Sequence, residues 1–151
     1  MFIYETKVLE QWIDCNEHMN VAFYYYAFEA AAIELWGFIG VDQTYRTTEE
    51  IEIETKEGHI QFIQEASIGD SLRIESQIFH ISEEALLLGQ EMFCRENILC
   101  RFGSFTEMIC RKSGQPRALA EEVFDSALSV KFAGSDLPNW LVRRVGINTP
   151  S

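Results

Sequence analysis

The stretch NVAFYYYAFEAAAIELWGFIG, running from Asn20 to Gly40, decides the architecture of this 151-residue chain. Asn20 is a good N-cap, no Pro or Gly interrupts the run before Gly37, and Gly40 is a natural stop, so one long helix is predicted over Val21 to Phe38. Its apolar residues occupy nearly every face, with Ala22, Ala27, Ala30, Ala31 and Ala32 as small contacts and Glu29 and Glu34 as the only charges. Such a helix has no solvent face of its own and needs something wrapped around it. The run is about long enough to span a bilayer, but two acids at a few kcal/mol each argue for burial in protein instead.

The wrapper follows in the sequence. Ile51 and Ile53 alternate with Glu50, Glu52 and Glu54, and Ile60 and Phe62 with His59 and Gln61, the period-two pattern of half-buried strands. Gly69-Asp70 makes a turn, after which Leu72, Ile74 and Ile78 alternate with Arg73, Glu75 and Gln77. Ser82-Glu83-Glu84 and Arg95-Glu96-Asn97 break the pattern before the strands Leu86 to Cys94 and Ile98 to Cys110. Strands of roughly ten residues with short turns suggest an antiparallel meander. A second, more exposed helix is expected over Ala118 to Val130, and a strand or tail near Trp140-Leu141-Val142. The expected fold class is α+β: a short N-terminal strand, a long central helix and a curved antiparallel sheet around it, in a single domain over residues 1–151. Long exposed sheet edges are usually covered by a second copy, so a homodimer or homotetramer is expected.

Composition narrows the function classes. Twenty-four acidic against 12 basic side chains give a net charge of -12, which repels the polyanions of nucleic acids and anionic membrane surfaces. Eleven Phe, five Tyr and three Trp supply the apolar surface that a disordered chain of this charge would lack. Cys15, Cys94, Cys100 and Cys110 show no C-x-x-C spacing, and Met1-Phe2-Ile3-Tyr4 runs into Glu5 and Lys7 without a signal-peptide pattern; a reducing cytoplasm is the expected compartment.

Upstream of the helix, Trp12-Ile13-Asp14-Cys15-Asn16-Glu17-His18-Met19-Asn20 concentrates a carboxylate, an imidazole and two amides. A helix N-terminus presents unpaired N–H groups and positive dipole, so a carbonyl oxygen held against Val21 or Ala22 would have its developing charge stabilised during acyl transfer. Asp14 would then lie close enough to act as base or nucleophile. The same residue types are common in turns and caps, and capping alone explains Asn20. A Cys15–His18 thiolate–imidazole pair is disfavoured beside Asp14, and the set Asp14, His18, Glu57 and His59 has no recognised metal-ligand spacing, so no metal is expected.

The run Asp14-Cys15-Asn16-Glu17-His18-Met19-Asn20-Val21-Ala22-Phe23-Tyr24 resembles the signature of hot-dog-fold acyl-CoA thioesterases of the 4-hydroxybenzoyl-CoA thioesterase type. There an Asp is followed by Gly-His-x-Asn, a Tyr and a helix bearing a Glu, the place that Glu29 fills. Glu57-Gly58-His59-Ile60-Gln61-Phe62 and Gly69-Asp70-Ser71-Leu72 are similar to the family's second strand and its Gly-Asp turn, so the resemblance covers roughly residues 8 to 112. Glu17 departs from it by replacing the usual Gly before the His. Plant acyl-carrier-protein thioesterases tolerate a bulky polar residue there, and by resemblance to them Asp14, Asn16, His18 and Glu57 are the catalytic group. Asn20, Val21, Tyr24 and Glu29 are the implied substrate-binding residues. The Trp-Ile-Asp-x-Asn-x-His-Met-Asn run and the Glu-x-His stretch also resemble the betainyl-CoA thioesterases.

The resemblance implies hydrolysis of a short or polar acyl-CoA, with no cofactor apart from the coenzyme A carried by the substrate. A silent acyl-binding module and a hot-dog dehydratase or hydratase are the alternatives; the Asp-x-x-x-His-x-Asn order disfavours the latter. For a quaternary-ammonium acyl group, one or two of Tyr24, Tyr25, Tyr26 and Trp36 beside Glu29 would form a cation–π box. Residues 1–60 hold 12 acids and 3 bases, against 12 and 9 in the remainder. The cations expected to meet the coenzyme phosphates are therefore Arg73, Arg95, Arg101, Arg111, Lys112, Arg117, Arg143 and Arg144.

Overall fold

The computed structural model describes residues 1–142. The elements run β1 (Phe2–Lys7), a single 3-10 turn (Glu10–Trp12), α1 (Val21–Phe38), α2 (Gln43–Glu49), β2 (Ile51–Phe62), β3 (Ser71–Ile81), β4 (Ala85–Cys94), β5 (Asn97–Cys110), α3 (Glu121–Leu128) and α4 (Asn139–Val142). The five strands form one antiparallel sheet in the order β1-β3-β4-β5-β2, curved around α1. This is the hot-dog arrangement that the resemblance implies.

The long helix begins where its cap dictates: Asn20 Oδ1 accepts the Ala22 N–H at 3.0 Å. It ends at Ile39, and Gly40 follows with φ +98°, the left-handed geometry that favours glycine after a helix. Ala27, Phe28, Ala31 and Leu35 are almost fully removed from solvent against Ile74, Ile78, Leu88, Met92 and Met108 on the sheet. Burial of Phe28 and of Leu35 stabilises by about 1.5–3 kcal/mol each. The wrapping is one-sided, however: Val21, Tyr25, Tyr26, Ile33 and Phe38 stay exposed.

The simple meander holds only for β3, β4 and β5. β2 pairs with β5, from Ile51 opposite Cys110 to Phe62 opposite Cys100, so it lies at the sheet edge furthest from β3. Residues 63–70 therefore cross the whole end of the sheet, and their backbone is held on the way: Ile63 and Gln64 donate to Leu99 O, Met19 to Ala66 O and Val8 to Asp70 O. The crossing places this segment against the start of α1. Gly69, with φ +78°, and Asp70, whose Oδ2 accepts the Ser67 N–H, make the expected Gly-Asp turn.

Three details differ from the sequence expectations. α2 carries no helix signal in the sequence, because QTYRTTE has no apolar stripe; Asp42 caps it by accepting the Tyr45 N–H at 2.8 Å. The second amphipathic helix is shorter than expected, Glu121–Leu128, with Val123 and Ala127 inward. Trp140 and Leu141 belong to a short helix, α4, rather than to a strand. It packs on the outer face of the sheet over the paired Gly89 and Gly103, where a Cβ would collide with Phe79 and Trp140 at one position and Leu141 at the other. No helix among the described residues is long and apolar enough to cross a membrane.

Candidate functional site

The loop before α1 is organised by Asp14. Its Oδ1 accepts the backbone N–H of Asn16 at 2.9 Å and of His18 at 3.3 Å, while its own backbone N–H donates to His18 O and its carbonyl accepts from Glu17. Ile13 and Met19 close the loop as an isolated antiparallel bridge. Glu17, which stands where the resemblance has a glycine, adopts φ +64°, a left-handed conformation that costs about 1–2 kcal/mol for a residue with a Cβ. Asp14 is half-buried, and its Oδ2 accepts no hydrogen bond from another described residue.

The helix terminus is partly occupied. Asn20 takes the Ala22 N–H through its side chain and the Phe23 N–H through its carbonyl, leaving Val21 N–H without a hydrogen-bond partner among the described residues. Of the two donors considered from sequence, Val21 is therefore the available one. It lines an open cleft of about 450 Å³ with Met19, Tyr24, Phe62 and Glu65. His18 turns toward this rim as well: its Nε2 lies 3.1 Å from Glu65 Oε2. Glu65 carried no signal in the sequence beyond being one of many acids; only the crossing of residues 63–70 brings it there.

Tyr24 is 3% exposed, and its hydroxyl accepts the Ala66 N–H at 2.9 Å. Burial pushes its pKa up, partly offset by that bond. Its ring is a wall of the cleft and its hydroxyl a structural tie. Asn16 and Cys15 are exposed, and no side-chain bond joins Cys15 to His18.

Glu57 does not join this group. It lies exposed on β2, opposite Phe105 and next to a bulge at Thr55, with no hydrogen bond or ion pair to Asp14 or His18. The four residues considered as metal ligands are likewise divided, Asp14 and His18 in the loop and Glu57 and His59 on β2.

Glu29 lies deeper along the helix, in a second and more enclosed cavity of about 140 Å³ beneath the middle of α1. Tyr25 lies beside it, and the Tyr25 pKa is raised first by burial and then by the Glu29 charge. Trp36 lines the same cavity, whereas Tyr26 packs edge-on against Trp12 and Tyr24 against Phe62. Of the four rings considered for a cation–π box, Tyr25 and Trp36 are thus the ones near Glu29, and Arg46 from α2 shares the cavity with them.

The expected phosphate-binding cations are mostly paired already: Arg73 with Glu75, Arg101 with Glu91, Arg111 with Glu52, Lys112 with Glu50 and Arg117 with Glu49. Arg95 has no such partner among the described residues, and Arg143 and Arg144 lie outside them.

Comparison with known proteins agrees with this fold. The family model of the thioesterase-like superfamily matches residues 8–144. Over 75 residues the chain is 35% identical to the betainyl-CoA thioesterase of Pseudomonas aeruginosa, covering 50% of this chain and 47% of that protein, so the match spans about half the relative's length. Among solved structures, the hypothetical protein SAV2348 of Staphylococcus aureus, in complex with CoA, superposes with a TM-score of 0.88 at 18% identity, over 97% of this chain and 94% of that one. A 1,4-dihydroxy-2-naphthoyl-CoA thioesterase from Synechocystis gives 0.77 at 15% identity, over 85% and 96%. The probable thioesterase YbaW of Escherichia coli gives 0.71 at 20%, over 87% and 100%. The cap, the Asp14 loop, the wrapped helix and the family match over residues 8–144 lead to one assignment: the chain belongs to the thioesterase-like superfamily.

Proposed function

We propose that this protein is an acyl-CoA thioesterase, hydrolysing a short or polar acyl thioester to the free acid and coenzyme A, with Asp14 as its essential carboxylate. The observation that carries the reading is the state of that side chain. One carboxylate oxygen is held by two loop N–H groups, the other is unclaimed, and the cleft at the helix N-terminus is adjacent in the chain. The free oxygen either attacks the thioester carbonyl, giving a mixed anhydride that water hydrolyses, or removes a proton from the attacking water. Val21 N–H and the helix dipole stabilise the negative charge that develops on the carbonyl oxygen. His18, held through Nε2 by Glu65, helps position the nucleophile, and Asn16 and Asn20 shape the loop around it.

Glu57 enters the same reading as a second carboxylate supplied across a homodimer. The exposed apolar side chains of α1 and the unpaired edge of β2 support such an assembly. The four free cysteines support a reducing compartment, the cytoplasm.

The test is release of free thiol from a panel of acyl-CoAs, including acetyl-, betainyl-, benzoyl- and palmitoyl-CoA. Turnover of at least one is expected, with palmitoyl-CoA the poorest substrate. No turnover of any, together with retained acyl-CoA binding, would favour a silent acyl-binding module instead.

A further inference from the structure

The inner face of the sheet is apolar except in one place. Four buried polar side chains, Ser76 on β3, Gln90 on β4 and Ser104 and Thr106 on β5, stand at positions in phase with the apolar inward residues on either side. They separate two hydrophobic clusters, one around Phe28, Ile74, Met92 and Phe102 and the other around Leu35, Ile78, Leu88 and Met108. A polar belt through a core is costly unless its groups are bonded, at about 1–3 kcal/mol for each one left unpaired.

Two side-chain hydrogen bonds tie the belt together among the described residues. Gln90 Nε2 donates to Phe28 O and to Ser76 Oγ, both at 3.1 Å. Its Oε1 and the hydroxyls of Ser104 and Thr106 have no side-chain hydrogen bond to another described residue, and all three side chains line the cavity of about 140 Å³ under α1. Arg46 reaches the same space from α2 with a buried Nε–H that has no partner and no ion pair among the described residues. A dry apolar cavity of about 150 Å³ holds a benzene-sized group. This one has the same room with donors and acceptors converging on it.

We propose that this cavity selects the acyl group, and that it takes an uncharged end bearing a hydroxyl or amide in preference to an alkyl, anionic or cationic end. This rests on the thioesterase reading and deepens it. The charges in the cavity wall decide the class. An anion meets Arg46 but also Glu29, and a cation meets Glu29 but also Arg46, so attraction and repulsion largely cancel and the desolvation of the ion is left uncompensated. A neutral hydroxyl or amide loses far less on entering and can exchange hydrogen bonds with the polar side chains of Gln90, Ser104 and Thr106 that line the cavity. The cavity is also within reach of an acyl group held at Val21: Val21, Tyr25, Glu29 and Ile33 succeed one another at four-residue steps along α1, and Glu29 lies about 12 Å along the axis from Val21.

The experiment compares kcat/KM for acyl-CoA pairs of equal length with hydroxyl or methyl ends: 4-hydroxybutanoyl- with pentanoyl-CoA, and 8-hydroxyoctanoyl- with nonanoyl-CoA. Glutaryl- and betainyl-CoA represent charged ends. Wild-type protein is expected to favour the hydroxyl member of at least one pair by about tenfold or more, and Thr106→Val, which keeps volume, to bring that ratio close to one. Ser104→Ala provides a second variant should Thr106→Val fail to fold. A methyl preference in both pairs, a higher value for either charged substrate, or a ratio unmoved in both variants would overturn the proposal. Should no thioester be turned over, the thioesterase reading fails separately, and calorimetric binding of the same pairs decides: a hydroxyl preference that the variants abolish upholds the pocket, and equal affinities overturn it.

Discussion

The Tyr24 hydroxyl accepts the backbone N–H of Ala66 at 2.9 Å, across 42 residues of chain, while Ala66 O accepts the N–H of Met19. A single buried alanine thus joins the helix, the Asp14 loop and the segment that carries Glu65. Tyr24→Phe removes the acceptor and leaves the Ala66 N–H buried without a partner. The expected loss is about 1–3 kcal/mol of stability, seen as a Tm lower by several degrees with the cooperative transition retained. An unchanged Tm would mean that another group takes the N–H.

Asp14→Asn keeps a carbonyl oxygen where Asn16 and His18 donate, so the loop is expected to persist with Tm near wild type while thioester hydrolysis falls below a tenth of the wild-type kcat. Asp14→Ala loses both the chemistry and the loop bonds, and is expected to lower Tm as well. Retention of more than a tenth of kcat in the Asn variant would make Asp14 purely structural.

Two cysteines are expected to separate by reactivity. Hydrogen bonds from the Ser113 side chain and from the backbone at Ser113 and Lys112 lower the Cys110 pKa to about 7, whereas burial pushes Cys100 up to about 12. The thiolate is the reactive form, so Cys110 labelling by iodoacetamide should rise as pH increases through about 7 and then level off. Cys100 should stay unlabelled until the protein unfolds. Mass spectrometry of the labelled peptides reads both, and faster labelling of Cys100 would contradict the assignment.

Ile33 is 54% exposed in the middle of α1, on the face shared with Val21 and Tyr25. If a second copy covers that face, light scattering at micromolar concentration should give a dimer or tetramer, and Ile33→Asp should shift it toward monomer by placing a charge in an apolar contact. A wild-type monomer would remove the assembly through which Glu57 is proposed to act.

The sequence by itself determined the parts whose signals are local. An uninterrupted apolar run behind an Asn cap is enough to start α1 at Val21, and period-two alternation is enough to show which side of β3 turns inward. The Asp14 loop was legible for the same reason, since its bonds span at most four residues. The tertiary structure alone decided which strands became neighbours. Pairing β2 with β5 rather than β3 separates Glu57 from Asp14 and sends residues 63–70 across the sheet end, where Glu65 meets His18. It also brings Arg46, from a helix without an apolar stripe, over the same cavity as Gln90 and Thr106. Periodicity reports which face of an element is buried, but not what that face will meet. Those meetings are set by long-range packing, in which the whole sheet and helix bury their surfaces together.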